Sequence, residues 1–231
     1  MAKLKQYKNP PLIEVACEFR FEPDPEQDVH SLLLAKFWKG KIKALFPRAI
    51  QPAGPPEPRD RFASEDGKTF VQVGENLLVV NQLPPYYGWS RFEPVVVDCF
   101  REYTQHWKPL RVKQAAVHYI NKLDIPQREF NLDKYLNLLV LPEFPKKPAM
   151  NISASYTVDG ARENDVVVTT LRQHPSANPE GTSFLLTWDY FANEGLPADT
   201  DEIQFWLREA HAFQKELFLS TLTDECRRLF D

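Results

Sequence analysis

The stretch LIEVACEFRF, residues 12–21, alternates apolar and polar side chains along its length. Ile13, Val15, Cys17, Phe19 and Phe21 fall on one side, and Glu14, Ala16, Glu18 and Arg20 on the other. A strand turns successive side chains to opposite faces, so this period of two predicts a strand with one face buried. The same signature returns along the chain. TFVQV (69–73) and LLVVNQ (77–82) flank Gly74, Glu75 and Asn76, a hairpin with a short turn. Further strands are predicted at 112–125, 149–158, 165–173 and 182–191, with links that favour antiparallel pairing.

Helices are predicted between these strands. One runs over 25–46, with Asp24 as its cap and Pro25 at its first position. A proline-rich surface loop follows over 47–68. Phe92, Val96, Cys99, Tyr103 and Trp107 recur at helical spacing behind a capping box of Ser90 and Glu93. Phe130 and Tyr135 bracket a cap at Asn131, which predicts a short helix over 132–140. Ile203, Trp206, Ala210, Phe213 and Leu217 form the apolar stripe of a long helix from Asp199 to about Phe230. The order of elements is that of an α+β protein, a mostly antiparallel sheet with helices on one face and a long C-terminal helix. The chain reads as a single domain over 1–231, or as two joined subdomains, 1–126 and 127–231.

Composition narrows the function. Of 231 residues, 43% are hydrophobic and 13% aromatic, ample for a core, and the net charge of −4 gives no general attraction to nucleic acid or anionic lipid. Cys17, Cys99 and Cys226 are far apart with no paired spacing, which argues against a disulfide frame or a zinc site and for three buried thiols. No apolar run reaches membrane-spanning length and no signal-type segment is visible, so a cytoplasmic location is expected. Only 8 glycines occur, and none is arranged as a phosphate-cradling loop, so no cofactor is expected.

Three constellations remain. The segment Pro84, Pro85, Tyr86, Tyr87, Gly88, Trp89 is dense in the residues that dominate protein interfaces, and with Arg91 it is the best candidate for contact with a protein partner, a second copy of the chain included. Glu14, Glu18, Arg20 and His118 could assemble a dispersed polar site of a hydrolase or nuclease, although no nucleophile motif or metal-ligand spacing accompanies them. Lys36, Lys39 and Lys43 share a helix stripe that a nucleic-acid accessory would use, or that simply forms a wet helix face. With no catalytic motif, the reading favours a non-enzymatic binding or accessory protein over an enzyme.

Three short stretches are familiar together: NPPLIEV (9–15), YYGWSRF (86–92) and VHYIN (117–121). They resemble a sporadically distributed, functionally uncharacterised family of bacterial proteins of about this length. The resemblance implies no catalytic residues. It implies by analogy an antitoxin, immunity or other defence-associated role.

Overall fold

The computed structural model describes residues 7–22, 36–53, 59–137 and 151–231. Its strands are β1 (Leu12–Glu22), β2 (Arg48–Ala53), β3 (Arg59–Ala63), β4 (Thr69–Gly74), β5 (Leu77–Gln82), β6 (Arg111–Ile125), β7 (Asn151–Val158), β8 (Asp165–His174) and β9 (Thr182–Phe191). They form one nine-stranded sheet in the order β2-β3-β4-β5-β1-β6-β9-β8-β7. Every pairing in it is antiparallel. The helices are α1 (Gly40–Leu45), α2 (Trp89–Trp107), α3 (Thr200–Thr221) and α4 (Asp224–Arg228). The expected α+β class therefore holds, and the 22-residue α3 is the long C-terminal helix.

The opening stretch is the central strand of the sheet, between β5 and β6. Val15, Cys17, Phe19 and Phe21 are buried as the alternation requires, and they meet Phe92, Val96, Cys99, Phe100 and Tyr103 of α2 in one core. Phe19 packs edge-on against Phe100 at 5.0 Å, and Phe21 stacks on Tyr103 at 4.4 Å. A register shift lies between Leu12 and Glu14. Leu12 is paired with Asn121 and Val15 with Tyr119, so Leu12 takes the helix-facing place that alternation assigns to Ile13. All three cysteines are buried free thiols.

α3 lies across β6 and β9. Ile203, Trp206, Leu207 and Ala210 join the same core as α2. A second cluster gathers Leu123, Phe184, Leu186, Trp188, Leu222, Cys226 and Phe230 beneath the C-terminal turns. Between the two helices, buried Glu93 of α2 accepts from Gln204 Nε2 and from Arg208 Nε, each at 2.7 Å. That contact explains why no Ser90 and Glu93 capping box forms. The N-cap of α2 is Gly88, whose φ of +92° is open to glycine without strain, and its carbonyl accepts from Arg91 and Phe92.

Other boundaries also differ from the sequence reading. Helix 25–46 is broken near its end, because Lys39 is extended, with φ −133° and ψ 171°, and only α1 follows it; residues 25–35 lie outside the described set. The surface loop expected at 47–68 contributes two strands, β2 and β3, at the sheet edge. Prolines do not forbid this, since an edge strand can leave one N–H side unpaired. Asn131 caps as expected, its side chain accepting from the Asp133 N–H, but among the described residues only one 3₁₀ turn (Leu132–Lys134) follows, and 138–140 lie outside the described set. Leu136 then bridges to Leu222. The C-terminal helix likewise ends at Thr221, where Leu222 turns extended for that bridge, and Thr223 caps α4. In both places a tertiary strand contact overrides helical periodicity. Among the described residues no helix is long and apolar enough to cross a membrane.

Candidate binding site

A cavity of about 240 Å³ opens between α3, the β6 and β9 strands, and the chain entering β1. Pro10, Pro11 and Leu12 form one wall, Tyr86 another, and Tyr119, Asn121 and Trp188 the sheet floor. α3 supplies His211, Gln214, Lys215 and Phe218. Tyr7 closes an end, packed edge-on against Phe230 at 5.4 Å, while Asn9 N–H donates to the Phe230 carbonyl at 2.9 Å. The entry chain is thus tied to the C-terminal turns.

The polar groups of this wall are mostly engaged with the protein itself. Gln214 Nε2 donates to the carbonyls of Val117 (2.9 Å) and Trp188 (3.0 Å), which pins α3 to two neighbouring strands. Asn121 Nδ2 reaches the Leu186 carbonyl at 3.4 Å. Tyr119 Oη lies 2.7 Å from His211 Nδ1. Burial, aided by nearby Lys215 and opposed by Glu93, lowers the His211 pKa to about 4. The ring is therefore neutral at pH 7, and its Nδ1 and the tyrosine hydroxyl share one hydrogen bond. Burial holds the hydroxyls of Tyr86 and Tyr119 protonated, their pKa values raised above the usual phenol range. Tyr86 Oη lies near Tyr119 without a well-formed hydrogen bond, and Gln214 Oε1 and Trp188 Nε1 are likewise unpartnered among the described residues. These atoms are shielded by carbon, so the surface facing the void is almost wholly apolar.

The aromatic segment divides over this site. Tyr86 turns inward and lines the cavity. Trp89 lies flat on His211, ring centroids 4.4 Å apart and planes 5° from parallel, and so fixes that imidazole from the far side. Tyr87 turns outward, 44% exposed, and its hydroxyl donates to Asp66 Oδ2 at 3.2 Å. Arg91, on the first turn of α2, is exposed. The four candidate contacts therefore comprise one cavity wall, one support and two surface groups.

Glu14, Glu18, Arg20 and His118 lie on the sheet face opposite the helices, where Ala16 is paired with His118. Each has its own partner. Arg20 Nε meets Glu18 Oε1 at 2.7 Å, Glu14 Oε1 accepts from Asn81 Nδ2 at 2.6 Å, and His118 Nδ1 meets Asp189 Oδ1 at 2.7 Å. They share a face but do not converge on one point. Among the described residues no group of His, Cys, Asp or Glu could hold a metal ion. Lys36, Lys39 and Lys43 are exposed, and Lys43 sits over the Trp38 ring, 4.8 Å from its centroid.

Pro10, Pro11, Leu12, Tyr119, Trp188, His211 and Gln214 were not visible as site residues from sequence. One signal did exist. His211 and Gln214 interrupt the apolar stripe of α3 at a spacing of three, which puts polar groups against the sheet. A second becomes plain in three dimensions. Pro10, Pro11 and Leu12 come from NPPLIEV, Tyr86 from YYGWSRF, and Tyr119 and Asn121 from VHYIN, so all three familiar stretches meet at the cavity. No protein-family model matches the chain, and no curated protein is similar to it.

Proposed function

We propose that this protein works by binding a protein partner, without catalysis, and that the partner seats an apolar group in the cavity beside Tyr86. The observation that carries the reading is the wall itself. It combines aromatic area with polar groups that are mostly engaged or shielded, which suits capture of an apolar group. Tyr87, Arg91 and the exposed Pro84 and Pro85, neighbours of Tyr86 in sequence, add surface groups to the proposed contact. An accessory role of the antitoxin or immunity kind, in the cytoplasm, is consistent with a protein whose chemistry is occupation of another molecule.

The test is quantitative affinity capture from the native host with two variants. Leu12→Trp fills the cavity from its wall, and the Tyr87→Ala, Arg91→Ala double variant strips the exposed surface. Both leave the main core intact, which thermal unfolding will verify. Loss of the same captured protein by both variants is expected. Capture unchanged in both sinks the reading.

A further inference from the structure

We infer that the group entering the cavity is a single aromatic side chain of a partner segment that carries a carboxylate beside it; this rests on the binding reading above. Size sets the first limit. A cavity of roughly 150 Å³ holds a benzene ring, and drug-sized ligands take about 300–1,000 Å³. At about 240 Å³ this one accepts a phenyl to indole group and is too small for a nucleotide.

Polarity sets the second limit. The amide nitrogens of Asn121 and Gln214 are turned to strand carbonyls and the Tyr119 hydroxyl to His211, while Tyr86 Oη, Gln214 Oε1 and Trp188 Nε1 have no partner among the described residues and are shielded from the void. A polar occupant would lose its water and find few partners, whereas an apolar ring loses nothing. Tyr7, Tyr86, Tyr119, Trp188 and Phe218 offer it ring faces and edges.

Charge sets the third. Among the described residues Lys215 is the one formally charged member of the lining, it is exposed, it has no ion-pair partner, and no carboxylate lines the cavity. Neutral His211 adds no charge of its own. The mouth thus favours an anion next to the buried ring and disfavours a cation. A charge about 5 Å from Lys215 in near-aqueous surroundings changes affinity on the order of fourfold, in opposite directions for the two signs. The exposed Pro84, Pro85, Tyr87 and Arg91 next to Tyr86 provide contact area that a lone small molecule would not reach.

The experiment titrates the full chain with three capped peptides, N-acetyl-Asp-Trp-amide, N-acetyl-Trp-amide and N-acetyl-Lys-Trp-amide, and with free indole, followed by NMR. Affinities for one anchoring side chain should fall on the order of 1 mM. The expected order is aspartyl, then uncharged, then lysyl, with about tenfold or more between the extremes. Lys215→Gln should collapse that order while leaving the uncharged peptide unchanged. Leu12→Trp should remove binding of all four. Free indole binding as tightly as the aspartyl peptide overturns the partner segment in favour of a small apolar ligand. An order that survives Lys215→Gln overturns the charge assignment. If no peptide binds while both capture variants still lose their partner, the binding reading stands and this occupant is wrong.

Discussion

α2 and α3 lie side by side on one sheet, and it is α3 that walls the cavity beside Tyr86. The stripe of α2 is Phe92, Val96, Cys99, Phe100, Tyr103 and Trp107, each no more than 2% exposed, and their rings interlock with Phe19 and Phe21. α3 begins the same way with Ile203, Trp206 and Leu207, then places His211 and Gln214 where α2 keeps carbon. A buried amide or imidazole must satisfy its own hydrogen bonds before it can pack. Gln214 Nε2 reaches two strand carbonyls and His211 meets Tyr119, which fixes both side chains, and the space around them stays open. A filled stripe stabilises, and an interrupted one creates a site.

The largest expected effect breaks the filled half. Phe100→Ala removes a fully buried ring and should lower unfolding free energy by about 4 kcal/mol in urea titration. If the two helices differ as described, the new void beneath α2 will not restore peptide binding to Leu12→Trp.

Next is acid. The folded His211 pKa of about 4 lies below the imidazole's ordinary value of about 6.5, so the unfolded chain binds the extra proton first. This contribution is fully present above about pH 6.5 and is lost as pH falls toward 4, by at most about 3 kcal/mol. Urea midpoints at neutral pH and near pH 4.5 should show a drop that is smaller in His211→Phe. An equal drop in the two proteins removes His211 from the account.

Gln214→Ala should cost about 2 kcal/mol, near one for each carbonyl bond lost, with protection of the amides of β6 and β9 falling in hydrogen exchange. A smaller loss would mean that α3 is held by its first half alone. The smallest effect belongs to Arg208→Ala. Arg208 is largely exposed, so its ion pair with Glu93 should contribute under about 1 kcal/mol. A double-mutant cycle with Gln204→Ala would show whether buried Glu93 depends on the pair of donors together.

Much of the fold was legible because periodicity is local. The alternation from Val15 to Phe21, the hairpin at 69–82, the Asp199 cap and the stripe of α2 all appear where residue spacing places them. Failures came where a distant segment intervened. Glu93 left its expected capping role for Gln204 and Arg208, and the bridge between Leu136 and Leu222 cut two helices short. The site was less legible than the fold. Tyr86 and Trp89 were visible as unusual residues, but whether they faced in or out was not.

Sequence by itself determined the α+β class, the buried thiols and the covered face of the first strand from Val15 to Phe21, since all three follow from the spacing of apolar side chains along a regular backbone. Only the tertiary structure decided that Leu12 would replace Ile13 on that face, that Trp89 would brace His211, and that Pro11, Tyr86 and Tyr119 would wall one void. The reason is physical. Spacing names the face a side chain occupies, but strand order, register and a single bulge select the neighbour it meets there.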